Sequence, residues 1–230
     1  VNLGSILTVS LWSQLAIATA WLVFVGLCAE AVRRFTPASN EIIRKVIHIG
    51  TGNVILVAWW LAIPMWVGVA ASIFFSAIAL LSYRFPILPN INSIGRKSFG
   101  TFFYAVSIGI LVAWFWSVHQ PQFAAIGILV MTWGDGLAAL IGQRFGKHCY
   151  KLWDMKKSWE GSLTMGAISF LICATILVMT TGNHWEIWLT SLMVGLVAMG
   201  LEAFSKFGID NLTVPLCTAA ISFWLTQHFV

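Results

Sequence analysis

Charged side chains are scarce in this sequence. Thirteen Lys and Arg and eight Asp and Glu make up 9% of its 230 residues, against about 25% in a typical soluble domain. With 59% apolar residues and a mean hydropathy of +0.88, the chain has too much apolar surface to hide from water, so its solvent must be lipid. The four cysteines (Cys28, Cys149, Cys173, Cys217) show no CxxC spacing, which excludes a zinc ribbon or a disulfide framework. There is no HExxH pattern, and no GxxxxGK[ST] loop, so a P-loop nucleotide site is excluded. The first apolar segment has neither a basic leader nor a small-residue cleavage site, and it reads as a first span rather than a removed signal peptide.

What is present is a series of apolar runs. Crossing the hydrocarbon takes about 17–25 such residues. Eight runs qualify, at roughly 5–29, 46–63, 65–82, 99–118, 122–142, 162–181, 186–206 and 212–229. Lipid cannot satisfy open backbone groups, so each is expected to be a helix. The expected fold is all-α: one polytopic membrane bundle over residues 1–230, with spans 2 and 3 forming a tight hairpin at Ile63-Pro64-Met65. All thirteen basic residues then fall in alternate loops: Arg33, Arg34, Arg44 and Lys45; Arg84, Arg96 and Lys97; Arg144 to Lys157; and Lys206. This alternation makes those loops cytoplasmic and both termini external. It also accounts for the net charge of +5 without nucleic acid. Trp114, Trp116, Trp185 and Trp188 fall at external ends, where an aromatic belt explains them.

The acids are less easily explained. Glu30, Glu41, Asp135, Asp154, Glu160, Glu202 and Asp210 all map to the cytoplasmic half, and only Glu186 maps outside. Charge-based topology says little about acids, whereas a site for metal-bound polyphosphate needs carboxylates and cations together. Asp135, in "TWGDGLAALIG", is two turns inside span 5, at a cost of at least about 2.5–3.5 kcal/mol. A buried cation, a metal or a water-filled pocket must offset it. His48, in "RKVIHIGTGN", is one turn into span 2 and is either a hydrogen-bonded structural histidine or a functional one. Glu202 ends span 7, either reaching the interface or serving a site; Glu30 is interfacial. Gly134, Gly136, Gly142 and Gly146 permit either close helix packing or approach of a polyanion to the backbone.

The stretch "RFGKHCYKLWDMKKSWEGS", 144–162, holds five Lys or Arg in 19 positions. Lys156 and Lys157 stand just before span 6, where Ser158 is an expected N-cap. Two ammonium groups, a hydroxyl and a helix N-terminus together suit a phosphate. Glu160 in the first turn either caps the helix or holds Mg²⁺. Asp210 and Asn211, in "GIDNLTVPL", form either a turn or a pair of hard oxygen ligands for Mg²⁺. "IGRKSFGTFFY", 94–104, is a further basic turn before a span.

"DGLAALIGQRFG" fits D-x2-A-x3-G-x3-G through Asp135, Ala138, Gly142 and Gly146, and "KKSWEGS" follows. Together they resemble the CTP-dependent lipid kinase family of phytol, farnesol and dolichol kinases. "RKVIHIGTGN", "RKSFGTFFY" and "DNLTVPL" resemble further blocks of its phytol kinase branch, so the likeness spans most of residues 41–216. It implies an all-helical membrane enzyme that moves the terminal phosphate of CTP to a prenyl alcohol. Phytol is the first expectation, then farnesol or geranylgeraniol, which would place the enzyme in tocopherol biosynthesis and in a thylakoid or plasma membrane. By this resemblance the nucleotide site includes Asp135, Gly142, Gly146, Lys156, Lys157 and Glu160; Ser158 at the helix start is added to it, and Arg44, Lys45 and Asn53 are further nucleotide-binding candidates as helpers. Mg²⁺ is expected on Asp135 with Glu160, Glu202, Asp210 or Asn211. Asp135, Glu160 and His48 are the candidate catalytic groups, the general base being left open. The rivals are a CDP-lipid-forming cytidylyltransferase, whose HGG signature is missing, and a proton-coupled transporter, against which the one-sided acids argue. The glycine-rich faces would permit a homodimer.

Overall fold

The computed structural model describes residues 10–85, 99–152 and 155–229; Arg96, Lys97 and Asp154 lie outside them. In chain order the elements are α1 (Leu11–Phe35), α2 (Asn40–Gly52), α3 (Val54–Trp60), α4 (Met65–Arg84), α5 (Gly100–Ser117), α6 (Pro121–Leu129), a π-helical turn (Val130–Asp135), α7 (Gly136–Phe145), β1 (Cys149–Leu152), β2 (Met155–Ser158), α8 (Trp159–Thr181), α9 (Trp185–Ala203) and α10 (Asp210–Phe229). Among the described residues, seven helical segments are long and apolar enough to cross a membrane: α1, Asn40–Trp60, Met65–Tyr83, α5, Pro121–Phe145, α8 and α9. The chain is a polytopic helix bundle.

α10 is the eighth long helix and does not share that apolarity. It packs inside the bundle against α5, α6 and α9. Its buried Thr218, Ser222 and Thr226 return their hydroxyls to carbonyls of their own helix, at 2.7, 2.9 and 2.7 Å. Such back-bonding satisfies polar groups that lipid could not.

Serine caps set three helix starts. Ser10, Ser39 and Ser158 accept the backbone N–H of Ser13, Ile42 and Gly161. The Ser39 cap begins α2 six residues before the expected span. Arg44 and Lys45 therefore lie on a helix and not in a loop. α1 likewise runs on to Phe35, and Glu30 pairs within it with Arg33 and Arg34 at 2.8 and 2.9 Å.

The central element is Pro121–Phe145. Every residue of Phe123–Gly134 except Trp133 is buried in its packing against α3, α5, α8 and α10. At one end of the bundle Phe115, Phe123 and Phe223 meet with ring centroids 5.2–5.8 Å apart. The expected hairpin of spans 2 and 3 does not form. α3 lies on α1 and α6, while α4 packs along α5. Trp116 is half-buried and donates its indole N–H to the Ile63 carbonyl at 2.9 Å. A two-stranded antiparallel hairpin, β1–β2, stands where a basic loop was expected, pairing Tyr150 with Lys157 and Lys151 with Lys156.

Candidate functional site

The π turn ends on Asp135. A π turn holds one residue more than the α ladder accommodates, and it re-aims the side chain that follows. Asp135 faces α2, where Lys45 Nζ meets its Oδ2 at 2.5 Å and His48 Nε2 lies 3.7 Å from the same oxygen. Lys45 is only 4% exposed. Of the offsets open to a carboxylate at this depth, the structure uses a buried cation. His48 Nε2 is buried and has no hydrogen-bond partner. Its ring packs on Tyr104 with centroids 4.8 Å apart, and the Tyr104 hydroxyl donates to the His48 carbonyl at 3.3 Å.

The glycines flanking Asp135 serve packing. A Cβ on Gly136 would fall 2.7 Å from Ile49 Cδ1, and one on Gly134 2.7 Å from Met165 Sδ. A Cβ at either position would force the Ile49 or Met165 side chain to shift. Gly142 and Gly146 admit Ser158: a Cβ would meet its Oγ at 3.0 Å from Gly142 and 2.9 Å from Gly146. These two glycines seat the end of β2 on α7.

β2 separates the two lysines of "KKS". Alternate residues of a strand face opposite ways, so Lys157 turns inward and Lys156 outward. Lys157 Nζ donates to the Glu202 carboxylate and, at 3.0 Å, to the Glu202 carbonyl. Glu202 is 8% exposed. Lys156 lies across the ladder from Lys151, and both are exposed. Glu160 turns to the other end of the hairpin. It accepts the backbone N–H groups of Lys147 and His148 at 3.1 Å and meets His148 Nδ1 at 2.8 Å.

Asp210 begins α10, after a turn through Phe207 (φ +58°) and Gly208 (φ +83°). Its Oδ1 accepts both the backbone and side-chain N–H of Asn211 at 3.1 Å. Pro215 has no N–H to give the Asn211 carbonyl. Asp210 interacts electrostatically with Asp135, Lys45 and Lys157, and Glu202 with Asp135 and Asp210. Three carboxylates and two lysines from α2, the π turn, β2, α9 and α10 thus share one end of the bundle, with His48 beside them.

Other predicted residues stand apart from this cluster. Arg44 is paired with Glu41 at 2.6 Å, although its charge is still felt at Asp135. Asn53 accepts the Trp133 indole N–H at 2.9 Å. Lys156 and Glu160 face elsewhere. Among the described residues, no three His, Cys, Asp or Glu side chains are grouped tightly enough to hold a metal ion alone.

Sequence reasoning allowed a buried cation for Asp135 without identifying Lys45, and it missed the Lys157–Glu202 pair, the π turn, the hairpin and Tyr104. One usable signal was the period-2 placement of Tyr150, Leu152, Met155 and Lys157. No local signal marks Lys45 as the partner of a residue 90 positions away.

Sequence comparison finds relatives along nearly the whole chain. The phytol kinase of Synechocystis sp. is 52% identical over 212 residues, covering 92% of this chain and 91% of that protein. The probable chloroplastic phytol kinase of Triticum aestivum is 28% identical over 207 residues, covering 79% and 66%. The chloroplastic farnesol kinase of Arabidopsis thaliana is 26% identical over 209 residues, covering 81% and 66%. No family model and no solved structure matches the chain.

Proposed function

The chain belongs to the polyprenol kinase family, on its phytol and farnesol kinase side, and from that premise we propose that it transfers the terminal phosphate of CTP to a prenyl alcohol, phytol foremost. The products are a prenyl phosphate and CDP. The observation carrying this reading is the convergence of Asp135, Glu202 and Asp210 with Lys45 and Lys157 at one end of a lipid-embedded bundle. A long-chain alcohol and a water-soluble nucleotide can meet only at a membrane boundary, and that end, on the cytoplasmic side by the charge map, is where the polar groups gather.

Phosphoryl transfer asks a protein mainly for positioning and charge neutralisation. Lys157 and Lys45 are the cations placed to neutralise phosphate oxygens. His48 Nε2, buried, without a hydrogen-bond partner and 3.7 Å from Asp135 Oδ2, is the candidate acceptor of the hydroxyl proton. Ser158, seated by Gly142 and Gly146, fixes the start of α8. Glu160 holds the hairpin to that start through Lys147 and His148.

Mg²⁺ commonly binds through one or two carboxylates plus substrate phosphates and does not need an all-protein cage. The donor set here fits that pattern: Asp135, Glu202, Asp210 and the amide of Asn211 offer only hard oxygens. Asp135 and Asp210 would hold the ion, and it would supply charge neutralisation on the phosphates.

The test is label transfer. Purified protein is given γ-labelled CTP or ATP with phytol, farnesol or geranylgeraniol. Labelled phytyl phosphate formed from CTP in preference to ATP is expected. Label from neither nucleotide on any alcohol would overturn the reading.

A further inference from the structure

α8 and α9 touch closely at one level, where a Cβ on Gly195 would fall 2.7 Å from the Gly166 carbonyl. Towards Trp159 and Ala203 a cavity of about 380 Å³ opens between them, under the hairpin. Its volume is within the ~300–1,000 Å³ typical of small-molecule sites. The β1 residues Tyr150, Lys151 and Leu152 line it together with Trp159, Ser162, Met199, Gly200 and Ala203. The Tyr150 ring packs on Trp159 with centroids 5.1 Å apart, and its hydroxyl is 2.6 Å from Ser162 Oγ.

Two features separate this space from a packing defect. Gly200 faces it, and a Cβ there would meet nothing within 4 Å; packing does not require this glycine, and its missing side chain keeps the volume open. The groove also adjoins the polar cluster. Tyr150 and Lys157 are cross-strand partners, so their side chains share one face of the hairpin, and Lys157 binds Glu202 on the helix that supplies Met199, Gly200 and Ala203. An apolar trough therefore lies beside the Lys157–Glu202 pair, which is not itself part of its lining.

We infer that this groove is the acceptor subsite, holding the hydrocarbon next to the hydroxyl of the prenyl alcohol with the hydroxyl end turned to Lys157 and Glu202. The inference rests on the kinase reading for the identity of its occupant. The shape fits a molecule with one polar end and an apolar chain, and the Trp159 side, 53% exposed, lets the chain enter sideways from lipid. A nucleotide finds no such match, because the surface turned to the groove is almost wholly apolar even though Lys151 and Ser162 are among its lining residues.

A farnesol analogue carrying a diazirine on its chain tests the assignment in the purified protein in detergent. Photolabel is expected on the segments 150–162 and 199–203 by peptide mass spectrometry, chased by unlabelled phytol and not by phosphatidylcholine. Label elsewhere, no label, or label chased equally well by phosphatidylcholine overturns the subsite. Gly200→Leu adds a kinetic readout. Leucine favours the helix over glycine, so folding is retained. Overpacking the groove should raise the KM for the alcohol about tenfold with the nucleotide KM unmoved. An unchanged alcohol KM counts against the proposal. The kinase reading fails separately: wild-type protein that takes the photolabel here and transfers phosphate to no alcohol would keep the subsite and lose the reaction.

Discussion

Lys45 and Asp135 stand 90 residues apart in the chain, and their side chains meet at 2.5 Å inside the bundle. The pair joins α2 to the π turn of the central helix. Removing one partner of a buried ion pair leaves the other charge uncompensated, at about 3–5 kcal/mol. Asp135→Asn and Lys45→Met are each expected to lower the melting temperature in detergent and to abolish prenyl phosphate formation. The double variant Lys45→Met/Asp135→Asn should recover much of the stability and none of the activity. If Asp135→Asn alone kept near wild-type turnover, Asp135 would have no part in the chemistry.

Gly136 gives a packing test at the same joint. A methyl there would lie 2.7 Å from both Cγ1 and Cδ1 of Ile49, so Gly136→Ala should cost about 1–3 kcal/mol by overpacking. Ile49→Ala removes both obstructing atoms. The two substitutions together should therefore cost less than their sum, a positive coupling in thermal melts. Strict additivity would mean that the close approach of α2 to the π turn is not what fixes glycine at 136.

This joint also shows how far the sequence could be read. Asp135 was visible because one acid inside an apolar run is costly, whereas the basic residues marked segment ends more than loops: Arg33, Arg34, Arg44 and Lys45 lie on helices, and Lys151, Lys156 and Lys157 on strands. Lys45 looked like a loop residue because basic residues near a span end usually are. Its burial depends on α2 starting at the Ser39 cap and on a partner supplied from the far side of the bundle, and neither follows from local composition. The hairpin was hidden for a related reason. Four-residue strands carry little periodicity, and the lysines in "YKLWDMKKS" read as topology. The clustering of Glu202, Asp210 and Asp135 at one end was legible from the charge map, whereas which cation faces which acid is set by tertiary contact.

The two adjacent lysines of β2 should behave differently. Lys157 is turned in to Glu202, and Lys156 lies exposed beside Lys151. Losing a charge preorganised for the transition state typically costs about 10²–10³-fold in kcat, and that is the expectation for Lys157→Ala. A solvated charge contributes about 1 kcal/mol or less and is screened by salt, so Lys156→Ala should cost less than about fivefold, with the difference shrinking as ionic strength rises. Steady-state kinetics at two salt concentrations check both. Equal losses would mean that the strand does not sort the two lysines.

Metal dependence is the remaining test of the carboxylates. Chelation should stop prenyl phosphate formation and Mg²⁺ should restore it, because a triphosphate donor needs its charge neutralised. Asp210 carries the sharper expectation. Its Oδ1 is held by two N–H groups of Asn211 at 3.1 Å, which fixes the carboxylate at the start of α10. Asp210→Asn keeps the shape and removes the charge, so it should raise the Mg²⁺ concentration for half-maximal activity. Asn211→Ala removes the side-chain N–H that orients Asp210, and loss of such an orienting contact typically costs about 10–100-fold in metal affinity. Both shifts are read by titrating Mg²⁺ at saturating nucleotide and alcohol. A Mg²⁺ requirement unmoved in both variants, with turnover intact, would take α10 out of the metal site and leave Asp135 without the partner carboxylate assigned to it.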